Sequence, residues 1–314
     1  MWQVSGGHGQ INHELALKEM TEYHKMGFTT WDLADIYSPA ESYIGEFRKE
    51  LFAKDKAELI RSQALTKFVP NPGPMTKSIV EFYIDQSLKK MNVDSLDLIQ
   101  FHWWDYKNLA YLDAIDYLSK LCSEGKIKHV GLTNFDTERV KIIVEKGFRI
   151  KSNQVQYSIL DQRPEHLMIP FCQKHRIHLL TYGTLLGGFL SEKYLDGINP
   201  HKSDLTTLSL KKYYNMIDVW GGWELFQELL HTLFNIAKKH NSSIANVATK
   251  YILDKPMVAG VIIGTRLGIS EHRKDNSNVF ELSLDSEDLK KINAVTKKSK
   301  NLIEIIGDCG AEYR

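Results

Sequence analysis

The chain has 314 residues, 43% apolar and 11% aromatic, enough for a sizeable core in one large domain or two ordinary ones. Forty Lys and Arg against 39 Asp and Glu leave a formal charge of +1 with no block of like charge, which argues against nucleic acid or an anionic membrane as a partner. The longest apolar stretches, such as MVAGVII, are far too short to span a bilayer, and MWQVSGGHGQ lacks the basic and then apolar regions of a signal peptide.

Taken in chain order, the elements alternate. Met1–Ser5 is barely long enough for a strand. Strand-like runs follow at Phe28–Asp32, Leu59–Thr66, Leu96–His102, Ile127–Leu132, Asn153–Ser158, Ile177–Tyr182 and Val258–Ile263. Segments with helical spacing lie between them, at Ser78–Met91, Tyr111–Glu124 and Thr137–Lys146. Asp136 or Thr137 can cap the last of these, and Gly27, Gly125 and Gly147 stand where helices should close. Seven strands alternating with helices predict a parallel sheet. The expected class is α/β, a (β/α)8 TIM barrel whose first strand is clipped or missing, with residues 1–314 as a single domain.

Two segments break the rhythm. Seventy-five residues separate Tyr182 from Val258; they hold an expected long excursion at about 183–223 and helices at Glu224–Lys239 and Ser243–Leu253. Long irregular loops in compact domains are usually functional. A second excursion, at about 279–314, ends in NLIEIIGDCGAEYR. Cys122, Cys172 and Cys309 are odd in number and widely spaced, which points to a reducing compartment and a cytoplasmic location.

Four polar residues, Asp32, Tyr37, Lys67 and His102, sit where apolar runs end. Asp32, Lys67 and His102 are 35 and 35 residues apart, about one strand–helix–strand unit each. In a parallel barrel such positions converge on the carboxyl-end face. An acid, a phenol, an amine and an imidazole gathered there suit proton transfer at a substrate oxygen. A free phenol is a poor acid–base group at neutral pH, and a close ammonium would correct that by stabilising phenolate. The buried ammonium in turn needs an anion, which Asp32 supplies. Asp35, in the same stretch, reads as a turn-stabilising carboxylate. His175 and His178 lack accompanying acids or cysteines, so no metal site is expected. Trp103, Trp104, Trp220 and Trp223 fall on loops that would flank the pocket, as lining or as packing.

WDLADIY followed by SPAESYIGE, the Lys of ALTKF, the His of IQFHWWD, the Asn of GLTNF, and then SNQVQYS, TYGTLLGGFLS and VIIGTR together resemble the aldo-keto reductases, motif by motif and in order, from Trp2 to about Asn278. That family binds a nicotinamide cofactor on a barrel without a Rossmann fingerprint. The nearest thing to GxGxxG here, GGHG at residues 6–9, lacks the spacing. The resemblance implies Tyr37 as the acid, Lys67 as the group lowering its pKa, Asp32 as the holder of Lys67, and His102 as the group orienting a carbonyl. It implies Thr133, Asn134 and Gln154 on the nicotinamide carboxamide, Tyr182 stacked on the ring with Gly183 beside it, and Arg266 on the adenosine 2′-phosphate.

The stretch after Arg266, LGISEHRKDNSN, is about two residues longer than usual. The adenosine end therefore falls to Ser270, Arg273, Asn276 or Asn278, with Asn276 taken first. The expected cofactor is NADP(H), ahead of NAD(H), and the expected partner is a small-molecule carbonyl substrate; the oligomeric state cannot be read. The competing reading is a cofactor-binding regulatory subunit without significant turnover. An intact set of four argues against it.

Overall fold

The computed structural model describes residues 1–6 and 11–313; Gly7–Gln10, within the GGHG run, and Arg314 lie outside the described residues. Seven strands form one parallel sheet in sequence order: β1 (Thr30–Asp32), β2 (Gln63–Phe68), β3 (Leu98–Phe101), β4 (Val130–Thr133), β5 (Ser152–Gln156), β6 (His178–Tyr182) and β7 (Val258–Val261). At least one helix lies in the chain between each pair of successive strands, as parallel pairing requires.

The inner strands β3, β4 and β5 are buried at every position, whereas β7 is half-exposed and Thr30 of β1 is open to solvent. That gradient marks a seam. Among the described residues no strand lies between β1 and β7. Trp2–Ser5, within the stretch read as barely long enough for a strand, is a 3₁₀ turn at the carboxyl end of this seam: the Met1 amino group donates to the Asp32 carbonyl at 2.8 Å, and Gln3 packs against Gly264.

All seven expected strands form, with shifted ends. Leu59–Arg61 is not strand but the end of a helix, Lys56–Arg61, capped by Asp55 and braced by an i,i+3 pair of Glu58 and Arg61. Ile60, apolar but 77% exposed, was the misleading signal. Leu96 and Ile127 pair only as an isolated bridge ahead of β3 and β4.

The helices expected in the first half run Lys77–Met91, Ala110–Ser123 and Thr137–Glu145; Asp136, not Thr137, caps the last by accepting from the Arg139 amide. Gly27, Gly125 and Gly147 all close helices at positive φ, where a glycine pays no Cβ penalty.

The excursion at 183–223 is not irregular throughout. After three 3₁₀ turns it contains a helix, Leu208–Trp220, capped by Thr207 and stopped before Gly221. Its buried side chains Tyr213, Met216, Ile217 and Trp220 follow the i, i+3, i+4, i+7 rule. The second excursion likewise folds, as Ser286–Thr296 and Leu302–Ile306. No helix among the described residues is long and apolar enough to cross a membrane.

Candidate active site

Parallel registration sets the site. Asp32 pairs with Leu65, Lys67 with Gln100, Thr133 with Gln154 and Gln156 with Tyr182. Residues near the carboxyl ends of successive strands therefore stand side by side, as a barrel demands.

Lys67 is the centre. Its side chain is 5% exposed, and Nζ donates to Asp32 Oδ2 at 2.6 Å and to the Leu33 carbonyl at 2.8 Å. Burial alone would pull the ammonium's pKa down. The carboxylate of Asp32, with help from Tyr37 and Asp35, outweighs it and raises the pKa above the ordinary lysine value. The same ammonium lies 5.2 Å from the centroid of the Tyr37 ring, whose side chain is half-buried at the mouth of β1.

Asp32 is held by more than Lys67. Its Oδ1 accepts from Gln100 Nε2 at 2.9 Å and from Gln154 Nε2 at 2.7 Å, and Gln154 Nε2 also donates to Gln100 Oε1 at 2.7 Å. A carboxylate can only accept, so both amide orientations are fixed. Three odd-numbered strands thus contribute one polar layer inside the barrel. Gln100 was missed in the sequence, although a glutamine inside DLIQFHW, fully buried, must find a partner. The Met1 amine beside this layer is pushed down to about 6 by burial, opposed by the charge of Asp32 and assisted by that of Lys67.

His102 follows β3. Its Nδ1 lies 3.0 Å from the Thr133 carbonyl, which can only accept, so Nδ1 carries a hydrogen. The ring meets Trp104 edge to face, centroids 4.3 Å apart. Trp104 is 39% exposed and stands at the site. Trp103 and Trp220 are core, and Trp223 is tied by its indole N–H to the Gly197 carbonyl.

The expected cofactor residues fall into two groups. Thr133, Asn134, Gln154, Tyr182 and Gly183 cluster at the ends of β4, β5 and β6. Asn134 adopts φ 59°, its amide donates to the Gln154 carbonyl, and its Oδ1 accepts from the Tyr182 hydroxyl at 2.8 Å. Gly183, at φ 72°, leaves room for the Tyr213 hydroxyl, which a Cβ would strike. Arg266 and Asn276 lie apart from these in sequence, on the exposed turn after β7 and on the helix Arg273–Asn278. Of the remaining adenosine candidates, Arg273 is engaged by Glu271 and Glu19.

No group of three or more His, Cys, Asp and Glu suited to a metal ion occurs among the described residues. Cys172 and Cys309 are buried thiols, and Cys122 donates to the Lys128 carbonyl.

The model of the Aldo/keto reductase family matches residues 1–297. An aryl-alcohol dehydrogenase from Pestalotiopsis microspora is 26% identical over 304 residues, covering 93% of this chain and 74% of that protein. Among solved structures, a glycerol dehydrogenase from Gluconobacter oxydans superimposes with a TM-score of 0.77 at 20% identity, over 98% of this chain and 91% of that one. An aldo/keto reductase from Klebsiella pneumoniae, in complex with NADP and acetate, gives 0.68 at 19% identity, over 90% and 86%.

Proposed function

The chain belongs to the aldo/keto reductase family of oxidoreductases, and from that premise we propose that it reduces an aldehyde or ketone to an alcohol, or runs the reverse oxidation, with NADP(H) as cofactor. The observation that carries the reading is the Asp32–Lys67 pair set under the Tyr37 ring, with His102 one strand away.

The residues at β4–β6 suit a nicotinamide carboxamide, which offers one acceptor and two donors. Both Gln154 contacts made through Nε2 are inside the barrel, which leaves Oε1 to accept. Asn134 and Tyr182, joined through Oδ1 and the hydroxyl, stand beside it. Tyr182 supplies the ring face and Arg266 the cation for a 2′-phosphate.

When bound, reduced nicotinamide supplies the hydride. Tyr37 supplies the proton to the carbonyl oxygen. Lys67 makes the resulting phenolate tolerable, and Asp32 keeps Lys67 charged although it is buried. His102, fixed by the Thr133 carbonyl, holds the substrate oxygen in register, and the exposed face of Trp104 offers an apolar wall to the substrate.

The test is a fluorescence titration with NADPH and NADH, followed by a panel of aldehydes with Tyr37→Phe as control. Tight NADPH binding and turnover by the wild type are expected. The variant should still bind NADPH but lose roughly 10²–10⁴ in turnover, the ordinary worth of a placed acid. Equal rates in the two proteins would remove Tyr37 from the chemistry.

A further inference from the structure

The single hydroxyl hydrogen of Tyr182, donated to Asn134 Oδ1 at 2.8 Å, is shared with a second and longer acceptor from the far end of the chain: Glu312 Oε1, at 3.3 Å. Glu312 is no loose surface acid. Its side chain is 8% exposed, and Oε2 accepts from Arg163 Nη2 at 3.0 Å. Arg163 is itself buried and grips Asp161 with two bonds, Nε to Oδ1 at 2.7 Å and Nη2 to Oδ2 at 2.8 Å. Asp161 also accepts from Gln156 Nε2, at the end of β5, at 2.7 Å.

The backbone before Glu312 is fastened as well. Arg163 Nη1 meets the carbonyls of Gly307 and Asp308, and Asp308 Oδ2 accepts from the Thr137 amide at 2.7 Å. Residues 307–312 are therefore clamped against the carboxyl ends of β4, β5 and β6. One guanidinium is shared by two buried acids, an arrangement that costs desolvation and is a poor way to gain stability alone. What the clamp delivers is one carboxylate oxygen at one phenol. Lys212, from the helix Leu208–Trp220, lies over the same ring, 5.4 Å from its centroid.

We propose that Glu312 is a positioning residue for the cofactor: by holding the Tyr182 hydroxyl together with Asn134, it fixes the ring against which the nicotinamide lies, so that residues 307–312 are part of the cofactor site. The proposal rests on the reading of Tyr182 given above.

It is tested by titrating NADPH into the wild type, Glu312→Ala, Glu312→Gln, Tyr182→Phe and the Glu312→Ala/Tyr182→Phe double variant, each shown by thermal melting to be folded at the assay temperature. Glu312→Ala should weaken NADPH binding by roughly three- to tenfold, the worth of an ordinary hydrogen bond, as a shared contact of 3.3 Å warrants. Glu312→Gln keeps one acceptor oxygen for two donors, Tyr182 and Arg163, and should bind between wild type and Glu312→Ala. The double variant should bind no more weakly than Tyr182→Phe alone, because the two changes remove the same contact. Wild-type affinity in Glu312→Ala, or an equal loss in both backgrounds, would overturn the proposal while leaving the cofactor reading standing. A wild-type chain that binds no NADPH would take down both.

Discussion

Asp35 stands between Asp32 and Tyr37, three residues after the one and two before the other. Its Oδ2 accepts from the Val69 amide at 3.1 Å and Oδ1 from the Ile36 amide at 2.8 Å, while its own amide donates to the Lys67 carbonyl. It ties the Tyr37 turn to the end of β2, which is the turn-stabilising role its sequence position suggested. Burial lifts its carboxyl from 3.8 to about 6. A carboxyl raised in the folded state binds its proton more tightly there than in the unfolded chain. Its contribution to stability is therefore full below about pH 4 and declines as pH rises through 6. Relative to Asp35→Asn, the wild type should lose on the order of 2 kcal/mol between pH 4 and pH 7, read from denaturant unfolding of both proteins. Parallel curves would show that the carboxyl does not titrate in this range. The residues proposed for proton transfer were legible one by one because each is polar where an apolar run ends. Gln154 was legible only as a cofactor contact. Its bond to Asp32 spans 122 residues of sequence and belongs to the barrel interior, which no local pattern encodes.

At the scale of elements, apolar periodicity found every strand and misjudged where some begin. Leu59 and Ile60 look like strand, but the cap at Asp55 and the Glu58–Arg61 pair had already committed them to helix. The helix Leu208–Trp220 carried a clear 3.6-residue stripe and was overshadowed by the polar run before it. Gly45 is a third case. In the sequence it was one letter of SPAESYIGE; in the fold it is where helix Ala40–Lys54 crosses helix Lys77–Met91, and a Cβ would run into the Lys90 carbonyl. Gly45→Ala should destabilise by about 1–3 kcal/mol through overpacking, despite the gain in helix propensity. Chemical denaturation measures it directly, and activity per folded molecule should be unchanged. A stabilised variant would mean that the two helices part at no cost.

For the whole molecule, the gradient of burial from β5 outward to β1 and β7 predicts uneven resistance to opening. Backbone amides of β3, β4 and β5 should exchange with solvent only through global unfolding. Those of β1 and β7, on the two sides of the seam, should exchange at least about tenfold faster by local opening. Native-state hydrogen exchange decides this; uniform protection across all seven strands would mean that the 3₁₀ turn at Trp2–Ser5 closes the seam as firmly as a strand. The parallel sheet was readable from alternation, and its closure as a barrel followed from the family resemblance. The Arg163–Glu312 clamp was not, because it joins residues 149 apart through charge rather than periodicity.

The layer of Asp32, Gln100 and Gln154 has a consequence for how such a chain can drift. These three positions are 68, 54 and 122 residues apart, yet each satisfies the others inside one barrel. Losing either glutamine leaves a carboxylate short of a donor, and losing Asp32 leaves Gln100 Nε2 without its acceptor and the buried ammonium of Lys67 without its counter-charge. No single replacement is mild, so a tolerated change at one of the three calls for a matching change at another. The loops beyond the carboxyl ends of the strands are under no such bond and can change one residue at a time.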